Sequence, residues 1–164
     1  MRVLIFGNSG AGKSFHAQRL AQRHALAHLD LDTLVWEPAA TAVPRPAGAA
    51  RRDLDAFIAR HAAWAIEGCY GELIEAAAPY SSELLWLDPP LAVCLARAHE
   101  RPWEPQKYPT PEAQAQMRAV LADWVAGYDR RDDDWSRRAH QRVFDAYAGP
   151  KRRVTEAEPE PAAC

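Results

Sequence analysis

The sequence predicts an α/β fold in which a parallel sheet is covered by helices on both faces. Three observations predict it. Short apolar runs alternate with helical segments along most of the chain, the pattern of βαβ units. A glycine-rich turn, Gly7-Asn8-Ser9-Gly10-Ala11-Gly12-Lys13-Ser14, separates the first apolar run from the first helical segment. The residues able to do chemistry stand where strands end, namely Gly7 to Ser14, Asp30, Asp32, Gly68 and Asp88. Ligands of such sheets bind outside the carboxyl ends of the strands.

Each element follows from its local pattern. The apolar run 3–6 suits a strand buried on both faces. Residues 13–24 have helical periodicity, with Phe15, Leu20 and Ala21 on one face. A second strand, 26–29, runs into Asp30-Leu31-Asp32, and the Pro- and Ala-rich stretch 37–50 reads as a loop. Residues 51–61 are amphipathic, with Leu54, Phe57 and Ile58 at helical spacing. A third strand, 64–66, is ended by Glu67-Gly68, and a short helix over 72–78 stops before Pro79. The fourth strand, 83–87, meets Asp88-Pro89-Pro90, and Pro90 opens a helix over 91–100, where its missing N–H costs nothing. The proline-broken segment 101–111 precedes helices over 112–127 and 134–147 and a last strand over 151–155. The Glu/Pro/Ala-rich stretch 156–164 reads as a disordered tail. One domain is therefore expected over 1–155.

Bulk properties narrow the class. A chain of 164 residues with 48% apolar and 26% charged residues has the profile of one globular domain. A formal net charge of −2 argues against nucleic acid as the main partner. No stretch is long and apolar enough to span a membrane, and the short N-terminal run reads as a first strand, not a signal peptide. Cys69, Cys94 and Cys164 have no metal-binding spacing, which fits reduced thiols in the cytoplasm.

The glycine-rich turn meets the pattern G-x-x-x-x-G-K-S through Gly7, Gly12, Lys13 and Ser14. Glycines let backbone N–H groups of Asn8, Ser9, Gly10 and Ala11 wrap a phosphate, and the following helix adds its positive dipole end. Lys13 is suited to outer phosphates and the Ser14 hydroxyl to Mg²⁺. Asp30 and Asp32, two apart on an extended chain, are expected to face the same side. One would order the metal's water shell and the other accept a hydroxyl proton, with Asp32 ahead of Asp30 as base and as metal partner. Gly68 is expected to let a substrate approach the backbone, and Tyr70 to stack on or hydrogen-bond it. Arg97 and Arg101, four apart on one helix face, are candidates to neutralise transition-state charge beneath a lid within about 101–131. Arg130 is a weaker candidate. Trp103, Tyr108, Trp124, Tyr128 and Trp135 are candidates for a hydrophobic wall.

The order of these motifs resembles the adenylate-kinase-related small P-loop kinases. Gly7 to Ser14, then His28 to Trp36, then Trp64 to Tyr70, then Leu85 to Pro90 carry the resemblance. Within that group the chain is most similar to the proteins called DNA topology modulation proteins or shikimate-kinase-like, over roughly residues 1–101. The resemblance implies a P-loop NTPase three-layer sandwich, with a five-stranded parallel sheet of order 2-3-1-4-5 and a helical lid. It implies ATP and Mg²⁺ at Gly10, Gly12, Lys13 and Ser14, a phosphoryl acceptor near Asp30, Asp32 and Gly68, and lid-flanking roles for Arg97 and Arg101. Phe15 stands where the group usually has Thr or another small residue. The glycine triplet of shikimate kinases is missing after the third strand, so the acceptor stays unnamed.

The expected function is a kinase that moves the γ-phosphoryl of ATP to a small-molecule acceptor. The alternative is a nucleotide-dependent ATPase or switch acting on a protein or nucleic-acid partner, supported only by the Arg-rich stretch 130–153. A GTPase-type Asn-Lys-x-Asp signature is absent, which favours ATP. Oligomeric state is open.

Overall fold

The structure is a computed structural model that describes residues 1–37, 43–105 and 108–156. Strands β1 (Arg2–Gly7), β2 (Ala27–Asp30), β3 (Trp64–Gly68), β4 (Glu83–Leu87) and β5 (Lys151–Val154) pair in parallel in the order β2-β3-β1-β4-β5. This is the sheet and strand order expected. β1 lies at the centre because it is buried from Val3 to Gly7. Its alternation sorts the core into two layers. Leu4 and Phe6 pack with residues of α3 (Ala49–Arg60), α4 (Gly71–Ala77) and α7 (Arg137–Ala146). Val3 and Ile5 pack with α1 (Lys13–His24), α5 (Leu91–Glu100) and α6 (Pro111–Ala126). At the outer edge, β5 shows Lys151, Arg152 and Arg153 to solvent, and charge of this kind blunts an unpaired edge.

Some boundaries differ from expectation for local reasons. The chain turns helical directly after β2, forming α2 (Asp32–Val35). Asp30 Oδ1 accepts the Asp32 N–H at 2.9 Å, and Thr33 Oγ1 donates to the Asp30 carbonyl at 2.7 Å. This local bonding competes with continued strand. Asp30 and Asp32 therefore do not share the face of one extended strand, which corrects the spacing argument. The helix expected from 134 starts at Arg137, because Ser136 caps it by accepting the Ala139 N–H at 3.2 Å. Thr110 caps α6 in the same way at 3.1 Å, with Pro111 in the first turn.

The expected loop 37–50 is partly built. Trp36 bridges Pro44 antiparallel, Glu37 N–H donates to the Val43 carbonyl at 2.8 Å and Arg45 N–H to the Val35 carbonyl at 2.9 Å. Residues 38–42 of that loop, 106–107 of the expected lid and 157–164 of the expected tail, with Cys164, lie outside the described residues. Among the described residues no helix is long and apolar enough to cross a membrane.

Candidate functional site

The phosphate-type loop joins β1 to α1 at the carboxyl edge of the sheet, as its motif requires. Two glycines are dictated by close approach. A methyl group on Gly7 would stand 2.0 Å from the Leu87 carbonyl oxygen, and one on Gly10 (φ 78°) would stand 2.2 Å from that of Cys94. The loop is thus pressed onto the end of β4 and the body of α5, which fixes its curvature. Asn8 is buried, donates to the Val125 carbonyl of α6 at 3.1 Å and accepts the Ser9 N–H at 2.9 Å. Lys13 Nζ and the Ala11 N–H both donate to the Asn8 carbonyl, at 2.9 and 3.2 Å. Gly12 precedes α1 directly, and Ser14 is exposed in its first turn.

The two arginines of α5 come to this loop. A methyl group on Gly12 would meet the Arg97 guanidinium at 3.3 Å. Arg101 reaches Ser9 Oγ at 3.4 Å and pairs with Glu104 at 3.3 Å. Lys13, Arg97 and Arg101 therefore surround one loop. The segment that follows, where the lid is expected, is stitched by Gln114, buried in α6. Its amide accepts the Glu104 N–H at 2.8 Å and donates to the Pro102 carbonyl at 2.9 Å.

On the other flank, Tyr70 is buried and its hydroxyl donates to Asp32 Oδ1 at 2.7 Å while accepting from Trp36 Nε1 at 2.6 Å. Burial first and the adjacent Asp32 charge second push the Tyr70 pKa up, so the phenol stays a donor. Gly68 has a different role from the one expected. A methyl group there would meet the Leu31 side chain at 2.8 Å, and Leu31 is fully buried. The missing side chain makes room for Leu31, not for a substrate. Glu67, also buried, lies 3.9 Å from His28. Cys69 is pushed up to about 12, chiefly by burial, and packs as a thiol.

The expected aromatic wall divides. Trp135 packs edge-on to Tyr70 and 6.3 Å from Trp124, while Tyr128 is buried in the core and Trp103 is 46% exposed. Arg131 is committed to structure: it stacks 4.0 Å over Trp124 and donates to the Trp124 and Trp135 carbonyls at 2.7 and 3.2 Å. Arg130 is exposed.

Three residues at this edge have partners that the local sequence does not reveal. Asp88, closing β4, is buried and clamped by Arg137 from α7 and Arg153 from β5. A cavity of about 300 Å³ opens beside it, lined by Asn8, Leu91, Tyr128, Arg137 and Thr155. His140, fully buried, accepts from or donates to Tyr128 at 2.6 Å through Nδ1 and contacts the Cys69 carbonyl at 2.9 Å through Nε2. Because a carbonyl only accepts, Nε2 carries the proton and Tyr128 donates to Nδ1. Trp36 was also passed over.

No family model matches the sequence, and no match is found among curated proteins. Solved structures do match. A gluconokinase from Sinorhizobium meliloti 1021 aligns with a TM-score of 0.50 at 16% identity, over 96% of this chain and 83% of that one. A deoxyadenosine kinase from M. mycoides with bound dATP aligns with a TM-score of 0.50 at 10% identity, over 98% of this chain and 93% of that one. At such identities the likeness is one of fold, and the fold is of the small P-loop kinase type.

Proposed function

We propose that this chain is a cytoplasmic ATP-dependent kinase that transfers the γ-phosphoryl group of ATP to a hydroxyl of a small-molecule acceptor. One observation carries the reading: Lys13, Arg97 and Arg101 converge on a single glycine-rich loop at the edge of the sheet, and Asp32 opens α2 just beyond the end of β2, held by Tyr70. Phosphoryl transfer needs positioning and charge neutralisation more than covalent chemistry. In this reading residues 1–155 form one catalytic domain, with the lid within 101–131. The resemblance to the topology modulation and shikimate-kinase-like group belongs to the same reading.

The loop amides from Gly7 to Ser14 and Lys13 hold the phosphates. Lys13 leaves the Asn8 carbonyl to do so, exchanging one hydrogen bond for charge-assisted ones. The residues also fit Mg²⁺: Ser14 and Asp32 offer hard oxygen donors, and the exposed Ser14 hydroxyl sits in the first turn of α1. Bound there, Mg²⁺ would offset phosphate charge. Asp32, or Asp30 beside it, accepts the acceptor's hydroxyl proton. Tyr70 keeps the Asp32 carboxylate oriented, and Arg97 and Arg101 neutralise the charge that develops on the transferring group.

The test is ADP release from Mg·ATP by wild type and Lys13→Ala against nucleosides, sugars and other small hydroxyl compounds, with the product identified by ³¹P NMR. Phosphorylation of one acceptor, lost in Lys13→Ala, is the expected result. Slow, acceptor-indifferent hydrolysis equal in both proteins would sink the reading.

A further inference from the structure

We propose that His140 is a positioning residue for this site: it ties the end of β3, and through it the Tyr70–Asp32 pair, to the rest of the sheet edge. The claim rests on the kinase reading for its catalytic consequence and on geometry alone for its structural one.

His140 contacts β1, the segment after β3 and the α6–α7 connection. Its ring packs edge-on to Phe6 at 5.5 Å, one residue before the phosphate loop. Its Nε2 donates to the Cys69 carbonyl at 2.9 Å, immediately after β3. Its Nδ1 accepts from Tyr128 at 2.6 Å, and the Tyr128 oxygen accepts from Trp86 Nε1 of β4 at 3.3 Å. The residue following Cys69 is Tyr70, which donates to Asp32 and accepts from Trp36. A hydrogen-bonded path, broken only by the peptide link from Cys69 to Tyr70, therefore runs from β4 to the proposed base.

The segment beyond β3 needs such a tether. After Gly68 the chain leaves the sheet, and Cys69 precedes α4, whose first turn begins at Gly71. Cys69 is buried, and His140 of α7 supplies a donor to its carbonyl, which would otherwise be a desolvated acceptor. Imidazole suits the task because its two nitrogens lie on opposite sides of a rigid ring. One side reads a donor on the α6–α7 connection, and the other supplies a donor to the β3 end. A sub-ångström drift of Tyr70 would turn the Asp32 carboxylate away from a hydroxyl, and misplacement on the order of 1 Å costs rate steeply.

Two near-isosteric variants separate the halves of this bridge. His140→Gln places an amide nitrogen near the position of Nε2 and keeps a donor for Cys69. His140→Asn is shorter, mimics Nδ1 and loses that donor. The indole N–H of Trp36 bonds the Tyr70 hydroxyl directly, so its ¹H–¹⁵N resonance in full-length protein labelled on tryptophan, assigned with Trp36→Phe, reports the tether without any substrate. The expected result is that His140→Asn moves the Trp36 resonance and lowers kcat for the best acceptor about tenfold or more with KM for ATP unchanged, while His140→Gln restores both. Should His140→Asn fail to fold, Tyr128→Phe, which removes the donor to Nδ1, is expected to move the same resonance by less. An unmoved Trp36 resonance, or equal displacement by Gln and Asn, overturns the proposal. If the resonance moves but no acceptor is phosphorylated even by wild type, the tether stands and the kinase reading falls.

Discussion

The Tyr70 hydroxyl donates to Asp32 Oδ1 at 2.7 Å, joining the second residue after β3 to the first residue of α2. The bond crosses 38 residues of sequence and brings a neutral donor to a carboxylate at the edge of the crevice. Removing it with Tyr70→Phe takes one hydrogen bond from Asp32 and one from the Trp36 indole. The expected loss of stability is about 1–3 kcal/mol, read by urea denaturation. The expected loss in kcat is about tenfold, with KM for ATP unchanged, because the bond orients the proposed base and not the nucleotide. A variant with normal kcat would remove Tyr70 from the site.

Arg97 and Arg101 are expected to act on rate far more than on stability. Arg97 lies over Gly12, and the Arg101 bonds to Ser9 and Glu104 are long, at 3.4 and 3.3 Å. Arg101→Ala should therefore leave the melting temperature nearly unchanged, while Arg97→Ala and Arg101→Ala each lower kcat by about a hundredfold or more. Lysine should rescue poorly at both positions, since a point charge does not reproduce the guanidinium fork. Rescue of full activity by lysine would mean that net charge alone suffices.

Gly10→Ala tests the loop itself. The added methyl meets the Cys94 carbonyl oxygen at 2.2 Å, a backbone atom that a rotamer change cannot move, and φ is 78°. The loop must lift from α5. The expected cost is about 2 kcal/mol or more in stability, with loss of ATP binding by calorimetry. Retained binding at wild-type affinity would show that the loop does not need its seat on α5.

The strands, the loop, its lysine and the α5 arginines were legible because each is a local signal, an apolar run, a glycine pattern or a four-residue spacing, whereas the strand order followed only from the resemblance of the motif order to the small P-loop kinases. What escaped depends on partners far away in sequence. Asp88 was legible as a polar residue at the end of the fourth strand, but not that Arg137 and Arg153 clamp it across 49 and 65 residues. Gly68 looked like an opening for substrate because a missing side chain does not announce that Leu31 fills the space. Asp30 and Asp32 looked like strand neighbours because spacing alone does not reveal that Asp30 bonds the Asp32 amide and turns the chain. His140 sits on a strongly amphipathic helix as one more residue of its inner face, and only the fold places Tyr128 and Cys69 on either side of it.

His140 also sets an acid limit on stability. Burial lowers its pKa from 6.5 to about 4, opposed in part by the hydrogen bond to the Cys69 carbonyl. Between those values the unfolded chain takes up a proton that the folded chain refuses. Stability from this group is complete above about pH 6.5 and is lost as pH falls toward 4, by about 3 kcal/mol in all. His28, half-buried, is lowered mainly by burial and acts in the same direction. Asp134 acts in the opposite one, because burial raises its pKa and its folded form binds the proton first. The upper part of the window, above the carboxylate range, therefore belongs to the two histidines. Denaturation midpoints measured from pH 7.5 to 4.5 should fall steadily in wild type and fall less in His140→Gln, which has no proton to gain. Equal slopes in the two proteins would mean that His140 titrates freely, and that the buried bridge between Tyr128 and Cys69 does not hold in solution.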